Sequence, residues 1–210
     1  MRAFIYTGGA IAADGIADFP TEEDLVIAAD SGYQNAHKLG VKVQIAVGDF
    51  DSATADGLDE DTKIYPVPSE KDFTDTQMAV ETARSEGADF IVIVGGIGGR
   101  LDHTLANLGI LEYLYDKGVH AILTDGNNRV RMIRSTSELI PRSHFRYFSL
   151  LPVDDRVRGV TIEGGKYPLK NATLTRKNSG FAVSNEIEKN CALISVKKGG
   201  LFIIESRDHS

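Results

Sequence analysis

The chain has 210 residues, 42% of them hydrophobic and 25% charged, and its 23 basic against 30 acidic side chains leave a net charge of −7. That balance argues against a nucleic-acid binder, which needs a basic footprint to neutralise phosphates, but not against a small nucleotide substrate held through a metal. The lone cysteine, Cys191, rules out an intrachain disulfide and fits a reducing compartment, and no apolar run approaches the roughly 18 residues of a bilayer span, so a cytoplasmic setting is expected.

The N-terminus carries no apolar leader pattern and reads as a strand, Ala3–Thr7, running into Gly8-Gly9. Leu25–Ala29 is a second strand ending at Asp30-Ser31-Gly32, with a short helix through Asn35 to Gly40. Gln44–Val47 is a third, ending at Gly48-Asp49-Phe50-Asp51. A helix is predicted from Thr74 to Glu86, with Phe73, Met78, Ala79 and Ala83 as its buried stripe and Gly87 beyond its end. Phe90–Val94 is wholly apolar, as a strand buried on both faces must be. The period of three and four in Leu101, Leu105, Leu108, Leu111, Leu114 and Tyr115 predicts a helix to Lys117, followed by a strand over Val119–Thr124 and then Asp125-Gly126. Such alternation implies an α/β domain with a mostly parallel, Rossmann-like sheet over residues 1–126.

Beyond a junction at 127–141 the helical period disappears. Tyr147–Leu151, Val157–Ile162, Ala172–Thr175, Phe181–Val183, Ala192–Val196 and Leu201–Glu205 are short apolar runs separated by turn residues. They predict an all-β sandwich or barrel domain over residues 140–210.

The chemistry is suggested by position. Asp30, Asp49 and Asp125 each follow a predicted strand, Asp51 lies two residues past Asp49, Asp75 opens a helix, and Asp102 follows a glycine-rich loop. Any one of them reads equally well as a loop or cap residue. Recurrence at strand ends favours a shared crevice, because open parallel sheets bind ligands outside the carboxyl ends of their strands. Crowded carboxylates repel, by about 4 kcal/mol for two charges ~4 Å apart at an effective dielectric of ~20. A divalent cation removes that cost, and oxygen ligands without a zinc-type Cys/His set select Mg²⁺. Between Phe90–Val94 and the next helix, Gly95-Gly96-Ile97-Gly98-Gly99-Arg100 lets backbone N–H groups approach phosphate, and Arg100 adds a guanidinium fork. A Walker-type Gly-Lys-Ser/Thr is absent, and so is the third glycine of a dinucleotide fingerprint. His103 reads as positional and Cys191 as core.

Together, Ala29-Asp30-Ser31-Gly32 with Asn35, Gly48-Asp49-Phe50-Asp51-Ser52, Lys71-Asp72-Phe73-Thr74-Asp75 and Gly95-Gly96 through Gly99-Arg100-Leu101-Asp102-His103 resemble the thiamine pyrophosphokinase family in order and spacing. The resemblance covers essentially the whole chain. It implies attack of the thiamine hydroxyl on the β-phosphorus of ATP, giving thiamine pyrophosphate and AMP. It implies Mg²⁺ on Asp49, Asp51 and Asp75, with Arg100 and Asp102 assisting the metal–phosphate network. It further implies ATP contacts from Asp30, Gly32, Asn35, Lys71, Thr74, Gly96 and Arg100, and thiamine contacts from Ser184 and Asn185. The implied assembly is a homodimer whose thiamine site is shared between the α/β domain of one subunit and the β domain of the other. Lys71 stands where many members carry glutamine, and the chain has no tryptophan to stack on thiamine.

Two other readings remain open from the residues alone. A glycosyltransferase built on Asp49-x-Asp51 leaves the Gly95–Asp102 loop unused. A non-catalytic nucleotide or thiamine sensor gains little from so many carboxylates. Of the candidate bases, Asp75 and Asp102, the sequence selects neither.

Overall fold

Apolar runs bounded by glycine and aspartate set up a parallel sheet in the computed structural model, which describes residues 1–48, 58–66 and 73–208. The chain divides into two units, Met1–Gly126 and Asn127–Ser210. The first holds β1 (Arg2–Tyr6), β2 (Leu25–Ala29), α1 (Gly32–Lys38), β3 (Ile45–Gly48), β4 (Lys63–Pro66), α2 (Asp75–Ser85), β5 (Phe90–Val94), α3 (Leu101–Asp116) and β6 (His120–Thr124). The strands run in the order β6-β5-β1-β2-β3-β4, and each neighbouring pair is parallel. From β1 the chain builds outward through β2, β3 and β4, then crosses back through α2 to place β5 on the other side of β1. The strand order therefore reverses between β1 and β5, where such sheets open a crevice.

β4 is absent from the sequence reading. It is a four-residue edge strand that ends in proline, and an edge tolerates the missing N–H. α2 starts where its cap dictates: the Thr74 hydroxyl accepts the Gln77 N–H at 3.2 Å. Its buried face is Ala79, Val80 and Ala83, whereas Phe73 is half exposed. The stripe expected on α3 is corrected more sharply. Ile110, Leu111 and Leu114 are buried, but Leu101 and Leu105 are 70% and 58% exposed. The first two turns of α3 spend their inward positions on Thr104 and Asn107, which bond the preceding glycine loop.

Tyr6, fully buried in the core with Phe4, Val26, Ala28 and Tyr33, has a hydroxyl with no hydrogen-bond partner among the described residues. An unsatisfied buried hydroxyl costs about 1–3 kcal/mol. Tyr6→Phe is accordingly expected to raise stability by ~1 kcal/mol, seen as a higher urea midpoint. A lower midpoint would mean that the hydroxyl contributes a bond.

The second unit holds β7 (Asn128–Arg134), β8 (Ser137–Pro141), β9 (Tyr147–Pro152), β10 (Val157–Glu163), β11 (Leu169–Leu174), β12 (Asn185–Glu186), β13 (Cys191–Ser195) and β14 (Gly200–Ser206). Two antiparallel sets form, β12-β9-β14-β7 and β11-β10-β13-β8. One core joins them: Ile133, Phe148, Leu150, Leu201 and Ile203 from the first meet Ile140, Val160, Ile162, Leu174 and Ile194 from the second. Residues 128–134 and 137–141, read as junction, are strands. The alternation Arg129-Val130-Arg131-Met132 is the period-two signal, masked by its arginines. Phe181–Val183, read as a strand, is instead a 3-10 turn over Gly180–Ala182 in which Ser179 accepts the Ala182 N–H at 2.9 Å. Its apolar side chains do not all point inward: Ala182 is buried, Phe181 and Val183 are exposed. Cys191 is half buried at the start of β13 rather than in the core.

Candidate active site

The crevice lies where β1 and β5 end. Beyond β1, the Thr7 N–H donates to Val94 at 2.9 Å and keeps the two strands together for one residue more. The loops after them then touch, with the Gly96 N–H reaching the Gly8 carbonyl at 3.3 Å. Gly96 has φ +73, and a Cβ there would sit 2.5 Å from Nδ2 of Asn107, so both conformation and space demand glycine.

A cavity of about 440 Å³ opens above this floor. Its walls are Thr7–Gly9 after β1, Ala29 and Asp30 at the tip of β2, Phe73–Thr76 at the start of α2, Gly96–Arg100, and His103 and Asn107 of α3. Asp30 adopts φ +48, unusual for a residue with a side chain, and its N–H is tied to Val47 at 2.8 Å. Thr74 and Asp75 arrive together because one caps α2 and the other opens it. Arg100 binds Asp102 through two contacts, Nε to Oδ1 at 3.1 Å and Nη2 to Oδ2 at 2.5 Å, and Asp102 also accepts the His103 N–H at 3.0 Å. The guanidinium hydrogen bond, with lesser help from that N–H, holds the Asp102 carboxyl at about 2, below the usual carboxylate range.

Of the residues singled out in the sequence, Asp30, Thr74, Asp75, Gly96 and Arg100 line this cavity. Asp102 stands beside it through Arg100. Asp49, Asp51 and Lys71 lie outside the described residues. Gly32 and Asn35 are not among the lining residues. Gly32 lets α1 press on β1, since a Cβ there would meet the Tyr6 carbonyl oxygen at 1.9 Å. Asn35 is buried, with its amide donating to the Thr7 and Gly9 carbonyls at 2.8 and 3.0 Å. Asp125, one of the strand-end aspartates, is buried away from the cavity lining, its carbonyl taking the Ala12 N–H at 2.8 Å. His103, read as positional, lines the cavity, and Thr7, Phe73 and Asn107 join it without having been singled out as site residues. A histidine one residue after Asp102 on a helix whose N-terminus faces the loop was the available signal.

Among the described residues, no group of three or more His, Cys, Asp and Glu side chains is placed to hold a metal ion. The carboxylates of the cavity, Asp30 and Asp75, are oxygen donors of the kind a hard divalent cation takes.

In the second unit, Ser184 is exposed with φ +56, and its N–H donates to the Ser149 hydroxyl at 3.0 Å. Asn185 is buried. Its Oδ1 accepts the Tyr167 N–H at 3.0 Å and its Nδ2 donates to the Tyr167 carbonyl at 2.8 Å. That reciprocal pair commits the Asn185 amide to holding Tyr167, whose ring is exposed.

Residues 17–123 match the thiamin pyrophosphokinase catalytic domain, and residues 136–201 match the thiamin pyrophosphokinase vitamin B1 binding domain. The thiamine pyrophosphokinase of Bacillus subtilis (strain 168) is 31% identical over 198 residues, which cover 92% of this chain and 92% of that one. A crystal structure of thiamine pyrophosphokinase from Bacillus subtilis superposes with a TM-score of 0.88 at 28% identity, covering 100% of both chains. One of thiamin pyrophosphokinase from Geobacillus thermodenitrificans gives 0.85 at 28% identity, covering 100% of this chain and 99% of that one. With both domains matched in order and a full-length relative above 30% identity, the chain belongs to the thiamin pyrophosphokinase family.

Proposed function

We propose that this chain transfers the diphosphoryl group of ATP to the hydroxyl of thiamine, giving thiamine pyrophosphate and AMP, with Mg²⁺ as cofactor. The observation that carries the reading is the cavity at the β1–β5 reversal, where a glycine loop, Arg100, Asp30 and Asp75 converge within the matched catalytic domain. The parallel order of the first unit supports reading it as Rossmann-like, and the shared core of the two antiparallel sets supports a sandwich for the second.

Transfer of this kind needs positioning and charge neutralisation more than covalent help. Arg100 binds the triphosphate, while the N–H groups of Gly95, Gly96 and Gly98 are taken by Thr124, Gly8 and Thr104 and hold the loop in place. Asp49, Asp51 and Asp75 hold Mg²⁺, which when bound neutralises charge on the phosphates. Lys71 adds a further cation on the nucleotide side. Asp102, paired with Arg100 through two contacts, orients the guanidinium. The thiamine hydroxyl proton passes to a neighbouring carboxylate, for which Asp75 and Asp102 are the two candidates.

On the thiamine side, Ser184 offers its hydroxyl, and Asn185 fixes the Tyr167 segment so that the exposed ring supplies an aromatic face in a chain without tryptophan. The working assembly is a homodimer in which thiamine lies between the catalytic unit of one subunit and the β unit of its partner. No helix among the described residues is long and apolar enough to cross a membrane.

Asp49→Asn or Asp51→Asn is expected to lower turnover by at least ~100-fold while the protein stays folded. Turnover near that of the wild type at ordinary Mg²⁺ would remove both residues from the metal role.

A further inference from the structure

The floor of the cavity is made of backbone, and backbone carbonyl oxygens are negative ends that repel a polyphosphate. The carbonyls of Thr7, Gly8, Gly9 and Gly96 each take a hydrogen bond here. Asn35, 8% exposed on α1, donates both amide hydrogens, one to Thr7 and one to Gly9, at 2.8 and 3.0 Å. The Gly8 carbonyl between them takes the Gly96 N–H at 3.3 Å and the Thr7 hydroxyl at 3.3 Å. Asn107, 4% exposed on α3, donates to the Gly96 carbonyl at 2.9 Å. Thr104, one turn earlier on α3, closes the next part of the loop by accepting the Gly98 N–H at 3.1 Å. Two asparagines on different helices thus cap the two glycine loops, and the Gly96–Gly8 bond couples them.

We propose that Asn107 and Asn35 are positioning residues for the polyphosphate: by capping the carbonyls of Thr7, Gly9 and Gly96 they leave the floor between β1 and β5 acceptable to a chain of phosphates. Neither is a catalytic residue. Asn35 is absent from the cavity lining, and Asn107, which does line it, spends its amide on the loop. An aspartate cannot do the same work. It has the shape of asparagine but donates nothing, and it would turn a capped carbonyl into a repulsive pair beside a bound anion. The inference rests on the reading that the cavity takes a nucleoside triphosphate.

The test compares ligands that differ in phosphate count, using the full chain at fixed Mg²⁺. Affinities for inorganic tripolyphosphate, ATP and AMP are measured by calorimetry for the wild type, Asn107→Asp, Asn107→Ala and Asn35→Ala. Asn107→Asp is expected to weaken tripolyphosphate and ATP by at least about tenfold and AMP by much less, since each added phosphate charge meets the new carboxylate and the freed carbonyl. The two alanine variants show the same ordering with smaller losses, and they carry the test if the aspartate variant does not fold. In the double alanine variant the losses are less than additive, because the coupled loops are released together. Equal weakening of all three ligands, or unchanged affinities with only a lower melting temperature, would overturn the proposal. If the variants weaken tripolyphosphate and ATP more than AMP but the wild type forms no AMP, the enzymatic reading is defeated and the positioning role of Asn107 and Asn35 stands.

Discussion

Glu205→Ala is expected to destabilise the fold by about 3–5 kcal/mol, because it strands the Arg129 guanidinium without its counter-charge and leaves Arg131 with Glu138 alone. Glu205 on β14 is 2% exposed and lies opposite Arg129 of β7. Arg129 grips both carboxylate oxygens, Nε to Oε2 at 2.9 Å and Nη2 to Oε1 at 2.8 Å. Arg131 bonds the same carboxylate and reaches Glu138 through Nε at 3.2 Å, while Phe145 lies under the Arg129 guanidinium at 5.1 Å. Burial by itself would raise the Glu205 carboxyl. The hydrogen bonds and charges of the two arginines overcome it and hold the group below its ordinary value. A lowered carboxyl stabilises the native state above the unfolded value and loses that contribution as pH falls through the folded one. Wild-type stability should therefore decline in acid below the ordinary glutamate range, and that part of the decline should be missing in Glu205→Gln. Urea unfolding at neutral pH measures the first effect. A loss under ~1 kcal/mol, the range of exposed ion pairs, would mean that the network is replaced by solvent at little cost.

Arg100→Ala is expected to lower kcat/KM for ATP by about 10²–10³-fold, the usual consequence of removing a preorganised donor from developing phosphate charge. The side chain is well exposed and its ion pair with Asp102 is on the surface, so the melting temperature should hardly move. Asp102→Asn keeps the guanidinium but frees it, and a smaller loss follows. The pH profile should keep its shape in that variant, because a carboxyl held near 2 is already ionised throughout the working range. An Arg100→Ala enzyme within threefold of the wild type would remove Arg100 from the phosphate site.

These residues also show how far the sequence could be read. Phe90–Val94 was legible because a run apolar on both faces has few other uses, and α2 because Thr74 caps it one residue ahead of Asp75. β7 was hidden by arginines, which turn inward to Glu205 only once β14 lies alongside. Leu101 and Leu105 kept a helical period yet face outward, since period alone does not say which neighbour a helix will meet. In the cavity, residues whose chemistry is local could be named: Asp30 at a strand tip, Arg100 in a glycine loop. Asn107 could not, because its partner is the Gly96 carbonyl, eleven residues away and brought within reach only by the turn into α3. Asn35 is legible through its motif, but its bonds to the Thr7 and Gly9 carbonyls, 28 and 26 residues away, are set by the packing of α1 on β1. Ser184 and Asn185 stand out only through the family resemblance, because the Asn185 bonds to the Tyr167 backbone join positions 18 residues apart.

The most direct measurement is product analysis with ATP labelled at its β-phosphorus, thiamine, and Mg²⁺ present or withheld. Thiamine pyrophosphate carrying the label and AMP in equal amount, both requiring the metal, are the expected products. Thiamine-dependent release of ADP in place of AMP, or no thiamine-dependent product at all, would contradict diphosphoryl transfer by this chain.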